Sequence, residues 1–501
     1  VQFLWNEDLY QNIVESVESG MKQTEKKLVC DISSTKYNSL VKTVQEKYWI
    51  HPEGPYQGEK GKIKQDTAYN SQALLCKQRD ILFYGDAIQQ AINDASAAGG
   101  GRVLIPEGKY YTGAIELKSN VELHLAKGSI LQFVRNKSNV FYPLVFSRWE
   151  GVECMNFSPF LYAFEAENIA ITGHGTLDGA ADEFNWMPWK FGYFQEKNQQ
   201  DERQRLFDLG EEGADVRSSR IFADDVSTLR PPFIQPYSCK NVRIEDITIL
   251  NSPFWEINPV LCENVKVSRV KIHTNLYNND GVDPESCCNV LIEDCSFMTG
   301  DDCIAIKSGR NNDGRRIGEA SQNIIIRNNR FSNGHGGITI GSEISGGVKN
   351  VFAQGNYFDS TELDYPIRFK TNSYRGGLLE NIYVKDSLVN KSKLAVVHAD
   401  FFYEEGESGQ YMPTLRNITL ENIQTVAGGS IDAQQALYLR GFKAAPIENI
   451  TLKHVKLAGV RGKAVLQNIK NLQLIDVSIN GENSPDQLIC IDDEGCIEIV
   501  P

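Results

Sequence analysis

The 501 residues are 41% hydrophobic and 23% charged, the balance of an ordinary globular chain. A net charge of −14 speaks against nucleic acid as a partner, and no apolar run approaches the roughly 20 residues of a membrane span. The 11 cysteines are odd in number and show no C-x-x-C spacing, which points away from a disulfide scaffold and from a zinc centre. The sequence opens at Val1 without a signal-like apolar segment, as expected if a leader was removed or the start was trimmed.

Residues 1–79 are polar, Lys-rich and free of any repeat, with two possible helices; they read as an accessory or capping segment. From residue 80 onward the chain reads as one all-β domain to residue 501. It begins with "GDAIQQAINDASAAGGG", where Ala87, Ile88, Ala91, Ile92 and Ala95 share one helical face and Gly99 to Gly101 end the helix. This helix is expected to cap the N-terminal end. Two alternating strands follow, "NVELHLAKG" at Asn120 and "NIAITGHGT" at Asn168. An insertion at about 180–235 holds "FNWMPWKFGYF". Its Trp186, Trp189, Phe191 and Tyr193 either offer ring faces to a ligand at one end of a groove or pack the insertion onto the body.

From Asn241 one pattern recurs: Asn, apolar, any, apolar, then a polar patch and another apolar pair. Its members begin at Asn241, Asn264, Asn289, Asn323, Asn350, Asn381, Asn417, Asn449 and Asn471, 22 to 36 residues apart. Short strands at such a period indicate a parallel β-solenoid, each rung about 4.8 Å above the last. The Asn fits a ladder in which each amide bonds the copies above and below. The competing account is that Asn only marks turns. Cys239, Cys262 and Cys287 each precede a ladder Asn by two residues, which predicts buried, inert thiols.

The polar residues fall at similar offsets in successive rungs. "NNDGVD" carries Asp280 and Asp283, "GDD" carries Asp301 and Asp302, "GHGG" carries His335, and "RFK" carries Arg368 and Lys370. Similar offsets predict one common face. Gly300 permits a sharp turn at which two adjacent acids can both face outward. Three clustered carboxylates cannot all ionise freely, so one can hold a proton near neutrality while another activates water. That is the equipment of glycoside hydrolysis. Arg368 and Lys370 suit an anionic group on the sugar. Lys307 and Arg310 either add to this cationic end or are solvated loop charges.

These four motifs, in this order on a solenoid, resemble glycoside hydrolase family 28, the polygalacturonases, over roughly residues 80 to 480. The family pattern is Asn-Thr-Asp, Gly/Gln-Asp-Asp, Gly-His-Gly and Arg-Ile-Lys; Asn279 and Phe369 depart from it. The run "DILFYGDAIQQAI" also lacks the longer Gly/Asp-rich turn usual before the family's cap helix. The resemblance implies a right-handed parallel β-helix that hydrolyses α-1,4-linked galacturonate with inversion, without metal or cofactor. By carry-over Asp301 is the general acid, Asp280 and Asp302 position and deprotonate the water, and His335 tunes the acid or orients substrate. Arg368 and Lys370 bind the galacturonate carboxylate, and Lys307 and Asn278 join the substrate-binding set. The presence of the His and Arg-x-Lys elements favours polygalacturonate over rhamnogalacturonan. The run "GHGGITIGSEISGGVKN" looks closest to bacterial exo-acting members, so galacturonate is the expected product. A polymeric pectic substrate implies secretion or a periplasmic location. The alternatives are a hydrolase of a decorated, rhamnogalacturonan-type pectin, a β-helix pectate lyase, and a non-catalytic glycan-binding solenoid.

Overall fold

The computed structural model describes residues 5–21, 28–58, 62–223 and 227–483, with the backbone of strands Ile489–Ile491 and Ile499–Val500. Its strands form coils of a right-handed parallel β-helix. They divide into two compact units. One comprises Val1–Gly20, Glu263–Arg269 and Asp280–Pro501, the other Met21–Cys262 and Val270–Asn279.

In the first unit the recurring segments pair in register as parallel strands, from Glu263–Ser268 through Cys288–Glu293, Ser321–Arg327 and Val348–Gln354 to Ile469–Ile475. One apolar position of the repeat forms a continuous file: Val290, Ile324, Val351, Ile382, Ile418 and Ile450 are opposite one another and buried. β-Branched side chains suit this pleated, two-sided packing, and each full burial is worth roughly 1.5–3 kcal/mol. Phe297, Phe331 and Phe358 stack beside them at 5.3 and 4.7 Å between ring centres. The 34-residue interval between Asn289 and Asn323 is longer because it accommodates a helix, Asn311–Ile317.

The ladder and the turn are the same residue. Each ladder Asn of this unit sits at φ between 55° and 62°, a left-handed conformation that Asn tolerates better than other side chains. From Asn289 to Asn471, each Nδ2 donates to the Oδ1 of the preceding copy at 2.8–3.2 Å. The segment before residue 80 contributes a helix here. Glu7–Gly20 buries Tyr10, Ile13 and Val17 against the sheet, with Glu18 on Lys266 at 2.7 Å.

The second unit repeats the pattern: Gly101–Ile105, Val121–Leu125, Glu167–Gly173 and Lys240–Glu245 pair in parallel, and Asn120, Asn168 and Asn241 form an amide ladder of their own. The helix Gly85–Ala97 buries all five expected residues completely. Strand Leu75–Phe83 runs directly into it and pairs antiparallel with Lys42–Ile50, so the short junction is continuous. Gly101 opens the following strand rather than ending the helix. The insertion forms helices Met187–Phe191, Gln199–Glu211 and Val216–Ser219. Its aromatics pack inward: Trp186 is fully buried against Tyr142 and Trp189, and Tyr193 is buried beside Phe191. Cys239, Cys262 and Cys287 are buried thiols, each donating to a backbone carbonyl.

Candidate active site

The first unit brings the motif residues together. Strand Ser296–Met298 ends, the chain turns through Gly300, and strand Ile304–Ile306 begins. Backbone bonds pin the turn on both sides: Gly281 N–H donates to the Asp302 carbonyl at 3.0 Å, and His335 N–H donates to the Asp301 carbonyl at 3.0 Å. The glycines beside His335 are dictated by this crowding. A Cβ on Gly334, at φ 150°, would lie 2.8 Å from the Asp301 carbonyl, and one on Gly336 would lie 2.7 Å from Asp302 Oδ1.

One oxygen each from Asp280, Asp301 and Asp302 lies within 4.8 Å of the others. Asp302 is fully buried, and its two oxygens accept from Lys370 Nζ at 2.5 Å and Arg368 Nη1 at 3.4 Å. Asp301 is partly open; its Oδ1 lies 3.2 Å from His335 Nδ1 and accepts from the Asp302 N–H at 2.9 Å. Asp280 Oδ2 lies 3.6 Å from Lys307 Nζ, while its buried Oδ1 has no hydrogen-bond partner among the described residues.

The profile of glycosyl hydrolases family 28 matches residues 213–479. The chain belongs to this family. A solved exopolygalacturonase of Thermotoga maritima is 34% identical, with 95% of this chain and 97% of that one covered and a TM-score of 0.79. The exo-poly-alpha-D-galacturonosidase of Dickeya chrysanthemi is 27% identical over 75% of this chain and 64% of that relative. The endo-polygalacturonase of Pectobacterium carotovorum subsp. carotovorum is 28% identical over 74% of this chain and 83% of that relative.

In this family 28 glycoside hydrolase the protons are unevenly shared. Burial, then the charges of Asp283 and Asp301, push Asp280 well above the usual carboxylate range. Asp283 is pushed the same way, again chiefly by burial. Burial also opposes ionisation of Asp301, but the His335 hydrogen bond and charge outweigh it and hold Asp301 below that range. The same hydrogen bond, against the cost of burial, raises His335 to about 9. Burial thus favours the protonated form of Asp280, while the Asp301–His335 pair holds its proton on the imidazole.

The structure gives Lys307, Arg310 and Asn278 surroundings that the sequence did not show. Lys307 is not a solvated loop charge: it is 2% exposed, between Asp280 and Glu343 at 3.6 and 3.1 Å. Arg310 is likewise buried, 3.8 Å from Glu343. Asn278 belongs to the other unit, where its Oδ1 accepts from buried Arg230 at 2.7 Å. The neighbouring Asn279 bonds the carbonyls of Ser252 and Phe254, so the family's Thr position serves here as a backbone clamp. Arg368 and Lys370 hold Asp302, so an incoming carboxylate has to share them with it.

The sequence reading missed Glu343 and Tyr403. Glu343 stays ionised against burial because Lys307 and Arg310 surround it. The Tyr403 ring lies 5.5 Å from Lys370 Nζ and 6.0 Å from the Arg368 guanidinium. "GSEISGG" was visible as a motif, but nothing local in it signals a buried ion pair with Lys307. Tyr403 carries no local signal beyond following the rung that pairs with Arg368.

Proposed function

We propose that this family 28 enzyme hydrolyses α-1,4-galacturonosyl linkages of polygalacturonate with inversion, acting from the chain end and releasing galacturonate. The observation that carries the reading is the convergence of three carboxylates, one imidazolium, the buried Lys370 ammonium and the half-buried Arg368 guanidinium at one turn of the helix. Arg368 and Lys370 recognise the uronate carboxylate beside Asp302. Asp301 and His335 share one proton, and Asp301 passes it to the leaving oxygen as the glycosidic bond breaks. Asp280 and Asp302 hold the attacking water, and Asp302 takes its proton; the unpartnered Asp280 Oδ1 suits that water.

Inversion rests on the family resemblance and on one chemical argument. Inverting carboxyls usually stand about 6.5–9.5 Å apart, and the nearest oxygens here are closer than that. A retaining mechanism needs a carboxylate free to attack the sugar. Asp302 has both oxygens engaged by Lys370 and Arg368, so water is the better nucleophile. Exo action is supported by the likeness to the Thermotoga maritima enzyme. A polymeric pectic substrate places the enzyme outside the cytoplasm, secreted or periplasmic. No helix among the described residues is long and apolar enough to cross a membrane.

The test is incubation with polygalacturonate and a calcium chelator, followed by chromatography of the products. Saturated galacturonate monomer from the first minutes is the expected result. A ladder of oligomers would overturn exo action. Loss of activity in the chelator with an ultraviolet-absorbing product would overturn hydrolysis in favour of β-elimination.

A further inference from the structure

The outward strip that starts at Arg368 and Lys370 continues for two more rungs. Parallel register sets Arg368 beside His398 and then Tyr438, and Lys370 beside Asp400 and then Arg440. The residues between them, Phe369, Ala399 and Leu439, are buried, so the polar partners face away from the core. At one rung per step, Arg440 stands about 10 Å along the strip from Lys370.

The strip is built rather than incidental. The rings of Tyr365, His398 and Tyr438 form a row with centres 4.1 and 5.2 Å apart. The Arg440 guanidinium lies 4.5 Å from the Phe402 ring centre. Arg440 donates to the Tyr438 hydroxyl at 3.0 Å and to Gln467 Oε1 at 3.2 Å, and lies 3.6 Å from Asp400, yet it remains 29% exposed. His398 is only 9% exposed, and its Nδ1 has no hydrogen-bond partner among the described residues. A buried ring nitrogen left unpaired costs free energy that a ligand hydroxyl would recover. Burial, and then the charges of Arg368, Arg440 and Lys370, hold His398 at about 3, so it meets such a hydroxyl as a neutral group.

Resting on the function proposed above, we infer that Arg440, Tyr438 and His398 form a second sugar subsite that takes further uronate units of the same chain. The planar guanidinium of Arg440 pairs with a second carboxylate, and His398 Nδ1 bonds a sugar hydroxyl. An anionic ligand fits because the strip is continuous with the two cations at the reacting bond and ends on a third.

The experiment compares kcat/KM on digalacturonate and pentagalacturonate for wild type, Arg440→Gln and Tyr438→Phe. Arg440→Gln is expected to lower kcat/KM on the pentamer about tenfold or more, through KM, and to leave the dimer within about twofold. Tyr438→Phe keeps the ring, loses the hydroxyl that holds Arg440, and is expected to show the same length-dependent loss at smaller size. Equal losses on both lengths, or none on either, would overturn the subsite. Calorimetric titration of pentagalacturonate into Asp301→Asn, with and without Arg440→Gln, separates this claim from the parent reading. A roughly tenfold weaker affinity with Arg440→Gln sustains the subsite even if the wild type proves not to hydrolyse polygalacturonate. An unchanged affinity refutes it.

Discussion

Replacing Lys370 with Met tests the electrostatic core of the site. The Lys370 ammonium is 2.5 Å from Asp302, and Asp302 is fully buried. Methionine fills similar space but leaves that carboxylate with Arg368 alone, at 3.4 Å. Breaking a buried pair by removing one partner costs about 3–5 kcal/mol, and the surviving guanidinium puts the expected loss near the lower end, about 3 kcal/mol. The double variant Asp302→Asn with Lys370→Met removes both charges and keeps an acceptor for Arg368. It should recover at least about 1 kcal/mol of that loss, because no uncompensated carboxylate remains. Solenoids need not unfold in one step, so the readout is the order of melting temperatures: wild type, then the double variant, then Lys370→Met. A double variant that melts below the single one, or a Lys370→Met protein as stable as wild type, would refute the claim that the buried carboxylate depends on Lys370.

Asp301→Asn keeps the acceptor for the Asp302 N–H but cannot carry the proton. Turnover should fall by about 10²–10⁴-fold while calorimetric binding of oligogalacturonate persists. The Asp301–His335 pair gives a pH signature. Because His335 is raised to about 9, its stabilisation is fully present below its ordinary value of 6.5 and is lost as pH rises through about 9. Wild type should therefore melt above His335→Ala at pH 6, and the gap should close by pH 10; a gap independent of pH would contradict the ion pair. In the ladder, Asn323 gives one amide bond and receives another, at φ 58°. Asn323→Ala should cost about 2–3 kcal/mol, from two hydrogen bonds and the left-handed backbone, and Asn323→Gly about 1 kcal/mol less. Equal melting temperatures for the two variants would remove the conformational part of that account.

The fold was legible because each rung repeats a local signature. The apolar file through Val290, Ile324 and Val351 and the Asn at the turn recur in sequence as they do in space. The acids, His335 and the Arg-Phe-Lys pair were legible because similar offsets in successive rungs mean neighbouring places on the coil. What escaped depends on partners far away in sequence. Lys307 reads as a loop charge until Glu343, 36 residues later, is seen beside it. The Oδ1 of Asn278 is held by Arg230, 48 residues earlier, a partner that the local sequence does not announce. The helix Glu7–Gly20 lies where the sequence offered helices before residue 80, but the sheet that buries its stripe of Tyr10, Ile13 and Val17 was not legible locally.

The most direct test of the central claim is proton NMR of the first turnovers on oligogalacturonate, which reads bond hydrolysis, product length and anomeric form together. The account predicts a saturated galacturonate monomer that appears first as the β anomer and mutarotates later, as expected when water held by Asp280 and Asp302 attacks opposite the leaving group. An α anomer formed first would mean that one of the closely spaced carboxylates attacks the sugar itself, and the roles given to Asp280 and Asp302 would be wrong.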